Sequence, residues 1–413
     1  MGQSDAQRSE VRFLRVTAEK PAPVEHRLRA TVERLAALER APCSPGERVA
    51  AEWIAHELRE HGADVRVEPE RVHDSFHWVL FGLAAIGAAG GLAAKAGHRR
   101  VGALAGALSG AAMWEDLGGG RRRWFRRHTL PQRTTWNVVA EAGDLGAART
   151  LVVLAHHDAA RTSFLFDQRA PRLLAMRAPW LLRRLDRWPP LMWLVLAGPL
   201  LVSWGAARGR GTVPGMVVCI ATAAVMADMG TNSVVPAAND NATGVAVLLE
   251  LARELNANPI PELRLLLVST GAEEANQEGI LAFAVRHFDS LDPEQTWFLC
   301  LDTVGSRELV LIEGEGFLLM RDYPEHFKAR VERAARAGGV HLRRGLRLSF
   351  ATDGLIPLRA GFGTASIGSV NEWLVPANYH WPTDTPDRVD YGRVAAAARL
   401  TRCLAEDLAR DQR

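Results

Sequence analysis

Leu151-Val152-Val153-Leu154-Ala155-His156-His157-Asp158 runs five apolar residues straight into three side chains that ligate or ionise. An apolar run of that length predicts a strand buried on both faces. Its polar end marks where an open α/β sheet places its ligand site. The pattern recurs: residues 263–269 run into Thr270-Gly271-Ala272-Glu273-Glu274, and residues 297–301 into Asp302. Strand-like runs also cover 136–140 and 309–313, and 64–68 alternates as a strand does. Helical spacing covers 24–40, 46–61, 244–255, 279–288, 325–337 and 394–408. Such alternation predicts an α/β fold, a mostly parallel central sheet with helices on both faces.

The chain has 413 residues, 48% hydrophobic and 23% charged, with a formal net charge of +3. That excludes a disordered chain and a small disulfide-stapled scaffold. Of the 50 basic residues only Lys20, Lys95 and Lys328 are lysines, and the arginines are spread along the chain, which gives no case for nucleic acid as a partner. Cys43, Cys219, Cys300 and Cys403 lie far apart, against both a zinc ribbon and a disulfide framework. The N-terminal MGQSDAQRSEVRFLRV lacks the apolar run of a secretion signal.

Two regions depart from this soluble character. Residues 75–94 are 20 positions without a formal charge, and 101–114 another 14, separated by a basic tip at 95–100. Residues 188–207 are 20 more and 211–227 a further 17. A membrane-spanning helix needs about 20 apolar residues, with a range of about 17–25, so only 101–114 is short. Gly87 and Gly91, then Gly102, Gly106 and Gly110, recur every four residues, the spacing that lets membrane helices pack backbone to backbone. Two membrane hairpins in contact with a lipid bilayer are therefore expected. Arg121, Arg122, Arg123, Arg126 and Arg127 follow the first, and Arg172, Arg177, Arg183, Arg184 and Arg187 precede the second. The tips carry only Lys95, Arg99, Arg100, Arg208 and Arg210. This asymmetry predicts a multi-pass membrane protein whose bulk, outside the hairpins, is cytoplasmic.

Besides His156, Glu273, Glu274 and Asp302, two loops offer Asp240, before a helix, and His380. Taken singly, Asp240 reads as a helix N-cap, Glu273-Glu274 as a solvated loop, and His157 or His98 as structural. Taken together, His, Asp, Glu, Asp and His at the functional edge of one sheet form a ligand set for two cations. Asp240 is the candidate bridge. One of Glu273 and Glu274 would bind metal while the other serves as base. Asp158, two residues after His156 on the same side of the strand, would orient the His156 ring, with His157 on the opposite face.

Ala155-His-His-Asp158, Ala238-Asn-Asp-Asn-Ala-Thr-Gly244, Gly271-Ala-Glu-Glu274, Leu299-Cys-Leu-Asp302 and His380-Trp-Pro-Thr-Asp384 resemble, in order, the motifs of M28 family zinc peptidases of the bacterial leucyl aminopeptidase type. Ser44-Pro-Gly-Glu47 and Ala351-Thr-Asp353-Gly354 extend the resemblance to nearly all of the chain outside the hairpins. It implies two Zn2+ ions, His156 and Glu274 on one, Asp302 and His380 on the other, Asp240 bridging and Glu273 as catalytic base, with Asp158 supporting. It also implies hydrolysis of peptides or N-terminal aminoacyl substrates. The alternatives are a single-zinc acyltransferase resembling glutaminyl cyclases and a non-catalytic peptidase-like scaffold. The chain would divide into a catalytic domain (1–74, 115–160 and 231–413), a first membrane hairpin (75–114) and an insertion (161–230) with the second. One local departure is Ala275-Asn-Gln-Glu-Gly279, longer than the turn the family uses after its glutamate pair.

Overall fold

The computed structural model describes residues 23–118, 122–182, 186–187 and 190–410. The N-terminal segment and Arg121, Arg183 and Arg184 of the basic flanks lie outside the described residues. The first helices are α1 (Val24–Ala36) and α2 (Pro45–Glu60). Ser44 Oγ accepts the Glu47 N–H at 3.1 Å and Pro45 occupies the first turn, so α2 begins where the Ser-Pro signal puts it. β1 (Asp64–Val72) leads into α3 (His77–Lys95) and α4 (Arg99–Leu117). After α5 (Trp124–Thr129) come β2 (Arg133–Gly143) and β3 (Thr150–His156). The long insertion holds α6 (Arg169–Arg177), α7 (Pro179–Leu182), α8 (Leu191–Arg208) and α9 (Val213–Thr231), and α10 (Thr243–Ala257) follows. The remainder is β4 (Arg264–Thr270), α11 (Glu278–His287), β5 (Thr296–Leu301), β6 (Glu308–Glu315), β7 (Arg321–Asp322), α12 (Glu325–Ala337), β8 (Arg343–Leu348), α13 (Leu355–Arg359), β9 (Gly363–Val370) and α14 (Tyr391–Ala409).

Among the described residues nine strands form one sheet in the order β1-β2-β4-β3-β5-β9-β6-β7, with β8 beside β6. The centre, β4-β3-β5-β9, is parallel, while β1, β2, β6 and β7 pair antiparallel toward the edges. The fold is thus α/β with a mixed sheet, parallel where the site lies. Along β3 the two faces alternate: Leu151 and Val153 join a core with α1, α2, α10, α12 and α14, whereas Val152 and Leu154 pack with Phe283 of α11 and Ile356 of α13. β9 has no counterpart among the sequence-predicted strands. Its Gly363, Ser366, Gly368 and Ser369 interrupt the apolar run, yet it is a central strand.

The two hairpins fold into one four-helix bundle, with α3 on α4 and α9, and α8 on α4 and α9. Glycines make the approach possible: a Cβ on Gly106 would stand 2.6 Å from the Pro199 carbonyl oxygen, and one on Gly215 2.7 Å from that of Gly198. The outside of the bundle exposes Ile86, Leu92, Leu104, Leu194, Leu201 and Val217. Three of its helices, α3, α8 and α9, are long and apolar enough to cross a membrane. The fourth, α4, holds 101–114, the segment whose sequence falls short of a span, and is not among them. The helix runs to 19 residues, but it opens with Arg99-Arg100 and closes with Glu115-Asp116.

Two arginines of the basic flank are also not free surface charges. Arg126 is fully buried, with a two-pronged contact to Asp116 at 3.0 and 2.8 Å, and its third nitrogen reaches the Ala275 carbonyl at 2.6 Å. Arg123 donates to the Asn276 carbonyl at 2.8 Å and to Glu278 at 2.5 Å. Residues 275–278, the lengthened turn, are thus where the first hairpin is fastened to the α/β body.

Candidate metal centre

Every candidate comes from a strand end or a loop beside the parallel centre of the sheet. His156 closes β3, paired in register with Thr270 of β4. After Thr270 the chain must turn within two residues to present Glu273 and Glu274. Gly271 permits this, since a Cβ there would lie 2.3 Å from Thr135 Oγ1 and 2.6 Å from Glu47 Oε1. Asp158 then accepts the backbone N–H of Glu273 at 3.1 Å and of Glu274 at 3.0 Å, and lies 3.4 Å from His156 Nδ1. One carboxylate therefore holds the glutamate pair through its backbone and stands beside the histidine ring.

Asp240 sits in the loop entering α10, but its side chain does not cap that helix. Asn241 does the local work: its Oδ1 accepts from Gly244 N and Thr303 N, each at 3.1 Å. The Asp240 carboxylate faces the centre instead, Oδ1 3.2 Å from His156 Nε2 and Oδ2 3.1 Å from His380 Nε2. His380 Nε2 is also 3.1 Å from Glu274 Oε1. Tyr379 stacks on the His380 ring at 3.9 Å and Phe166 meets it edge-on at 4.5 Å, which fixes its plane. His156, Asp240 and Glu274 can bring ligand atoms within 4.8 Å of one another. Asp302, following β5, lies near enough for the charges of Asp240, His156 and Glu274 to act on it. Burial and the Asp240 charge push its carboxyl up to about 7, and among positive groups His156 draws it back. His157, on the other face, has its Nδ1 3.0 Å from Ser269 Oγ, and burial holds it down at about 3.

The electrostatics ask for cations. Burial raises Glu273 well above the usual carboxylate range, and the charges of Asp353, Glu274 and Asp302 add to it against the pull of His156. Burial raises Glu274 as well. Burial opposes charge on His380, yet Glu274 and Asp240 lift it to about 10. Asp240 Oδ2 and His156 Nδ1, both buried, have charged neighbours at 3.1 and 3.4 Å but none in hydrogen-bond geometry. Five mutually repelling carboxylates around two imidazoles, with buried atoms left unpaired, fit divalent ions bound through oxygen and nitrogen.

Several supporting residues stand in quoted motifs but carried no sequence assignment. Asp384 accepts from Asn239 N at 2.8 Å and Asp240 N at 3.1 Å, pinning the Asp240 loop. Asp353, bonded by Thr270 Oγ1 and pushed up to about 7 by burial, lies behind Glu273. Glu47 accepts from Thr135 Oγ1 and Ala272 N, each at 2.8 Å, tying α2 to the glutamate turn. Arg40 has no local signal at all. It is fully buried and donates to the carbonyls of His157 at 3.1 Å and Ala237 at 3.0 Å, joining two ligand loops.

A cavity of about 260 Å³ opens beside Glu273, Glu274 and His380. On the other side of Glu274 and His380 lies a hollow of about 110 Å³ edged by Asp74, His77 and Arg161.

Residues 222–405 match the family model of peptidase family M28. Three solved structures share the fold. A leucine aminopeptidase precursor from Bacteroides thetaiotaomicron VPI-5482 is 14% identical, with 92% of this chain and 96% of that one covered and a TM-score of 0.55. A glutaminyl cyclase from Bacteroides thetaiotaomicron, bound to N-acetylhistamine, is 15% identical, with 92% and 97% covered and a TM-score of 0.55. A Zn-dependent exopeptidase from Parabacteroides distasonis ATCC 8503 is 12% identical, with 94% and 98% covered and a TM-score of 0.52. No curated protein matches the chain.

Proposed function

We propose, on the premise that residues 222–405 belong to peptidase family M28, that this protein is a membrane-anchored aminopeptidase with a dinuclear zinc centre. The observation that carries the reading is Asp240, whose two oxygens address different histidines, His156 and His380. A carboxylate so placed suits two cations held about 3.5–4 Å apart. Two divalent charges also bring the carboxylate cluster close to neutrality, where one leaves a large excess. The contacts favour a different pairing from the one expected by resemblance. Glu274 touches His380, so we assign Glu274 and His380 to one ion, which leaves His156 and Asp302 for the other, with Asp240 shared by both.

Zinc bound there would lower the pKa of a water and polarise the scissile carbonyl. The chain's own residues do the rest. Glu273, on the cavity wall, takes the proton of the attacking water and delivers it to the departing amine. Asp158 holds Glu273 and Glu274 in register through their backbone N–H groups. The substrate's free α-amine, a cation at neutral pH, is drawn to the same surplus of carboxylates.

The test uses detergent-purified full-length protein on free and amino-blocked aminoacyl anilides, with and without chelator, alongside metal analysis. Cleavage of free-amine substrates alone, lost with chelator and accompanied by two zinc ions per chain, is expected. Cyclisation of glutaminyl peptides with one zinc per chain would establish the cyclase alternative, and metal-free inertness the scaffold.

The bundle serves as the anchor, supported by its three span-length helices and its exposed apolar exterior. The arginine surplus on the catalytic side supports a cytoplasmic catalytic domain. Topology is read from the chain as it inserts, so the later burial of Arg123 and Arg126 does not cancel their contribution. Retention in membranes after alkaline carbonate washing, and labelling of a Gly97→Cys tip only from outside the cell, are the expected results.

A further inference from the structure

We infer that α6 lies in the plane of the bilayer surface and binds anionic phospholipid headgroups through Arg172 and Arg177. This rests on the anchor reading above and is independent of the peptidase reading. One exposed face of α6 carries Arg169, Arg172, Leu173, Met176 and Arg177, positions three and four apart, with Leu173 53% and Met176 69% accessible. Trp180 of α7, which follows, is also exposed. No residue of α6 is buried, and a helix of nine residues is marginal by itself in water. A face that mixes cations with large apolar side chains is the make-up of a helix lying at a membrane interface.

Three observations point to the bilayer as the cover. The first is position. The segment leaves the bundle at Phe164, whose N–H donates to Asp228 near the end of α9 at 3.1 Å, and re-enters it at Leu191, the first residue of α8. The end of α9 and the start of α8 stand at the same end of their hairpin, so α6 is tethered at the depth where the span-length helices leave the apolar layer. Gln168 Nε2 donates to the Pro376 carbonyl at 2.8 Å, which fixes the entry to α6 on the α/β body. The second is charge. Residues 169–185 hold five arginines and no Asp or Glu. Asp167 answers Arg169 at 3.0 Å, but Arg172 and Arg177 make no ion pair among the described residues. Glu372, across a hollow from Arg172, is held by Arg307 at 2.9 Å. A basic cluster next to a membrane span is what anionic lipid attracts. The third is the arrangement. Orienting the chain during insertion needs only arginines somewhere in the loop. It does not ask for a helix, nor for Leu173 and Met176 on the same face as the cations.

The test uses full-length protein in vesicles of phosphatidylcholine, alone or mixed with phosphatidylglycerol, and reads amide hydrogen exchange across residues 169–182. Each cation near an anionic surface strengthens binding about fivefold, so phosphatidylglycerol is expected to slow exchange there by about tenfold or more. High salt should remove that slowing. Arg172→Gln with Arg177→Gln, both at exposed positions, should cut the slowing to below about twofold at an unchanged thermal midpoint, and Leu173→Ser with Met176→Ser should reduce it about threefold. Equal exchange in the two vesicle types would overturn the lipid surface. So would slowing that survives the arginine change, or the same slowing produced by inorganic phosphate added to phosphatidylcholine vesicles. Stripping of the chain from vesicles by alkaline carbonate, with phosphatidylglycerol-dependent slowing intact, would overturn the anchor reading and leave the lipid surface standing.

Discussion

Around the metal-capable cluster, buried polar atoms find partners from distant parts of the chain: Asp158 with the 273–274 backbone, Asp384 with the 239–240 backbone, Arg40 with two ligand loops. In the bundle, side-chain hydrogen bonds are few, such as Ser203 Oγ to the Ala103 carbonyl at 2.8 Å, and contact comes from missing side chains, as at Gly106 and Gly215. The α/β body therefore depends on the right chemical group at each position. The bundle depends on the right small size. Between them lies a seam of buried charge, Asp116-Arg126-Glu278, which has the character of the catalytic domain but is built from both.

The comparison can be broken or sharpened at each of these places. The largest effect is expected from Glu273→Gln, which removes the proton acceptor and keeps the shape. Turnover should fall about 10²–10⁴-fold while two metal ions per chain remain by elemental analysis. Retained turnover would remove Glu273 from its role. Arg126→Met leaves Asp116 buried without its partner and Glu278 with Arg123 alone, and should destabilise by about 3–5 kcal/mol, read as a lowered thermal midpoint in detergent. The double change Arg126→Met with Asp116→Leu should recover much of that loss, and a double variant no better than the single would show the seam is not a pairwise device.

Smaller effects separate the regions themselves. Gly106→Val forces branched carbon against the Pro199–Ser203 backbone and should cost about 1–3 kcal/mol, with the zinc content of the catalytic domain unaltered. Loss of zinc in that variant would show that bundle packing and the centre are coupled. The smallest effect concerns pH. Burial works against charge on Glu313, but Arg344 and Lys328 hold its carboxyl down at about 2 against an ordinary 4.5. A depressed acid contributes stability above its unfolded pKa and loses it as pH falls through the folded one. Unfolding should therefore ease between pH 4.5 and 2, and Glu313→Gln should flatten that part of the profile.

Much of the site was legible because its residues stand where apolar runs stop. His156 after 151–155, Glu273 and Glu274 after 263–269, and Asp302 after 297–301 can be located without knowing the neighbours of any strand. β9 escaped because its glycines and serines carry no apolar signal, although β5 and β6 bury it. The sequence pattern made 101–114 a membrane segment, while the helix itself extends into charges at both ends. Arg40 and Asp384 escaped for another reason: their roles exist only through partners remote in sequence, Arg40 reaching 197 positions to Ala237 and Asp384 145 to Asn239.

By itself the sequence determined the α/β character, the inventory of metal-capable side chains at the strand ends, and the two apolar insertions. These depend on periodicity and composition, which neighbouring residues alone set. Tertiary structure decided which carboxylate stands beside which histidine, why the turn after Glu274 is long, and that Arg123 and Arg126 face Glu278. It also brought two insertions, separated along the chain by residues 115–160, into the lining of one cavity. Those outcomes are distances between remote segments, and they acquire values only when the sheet and bundle pack together.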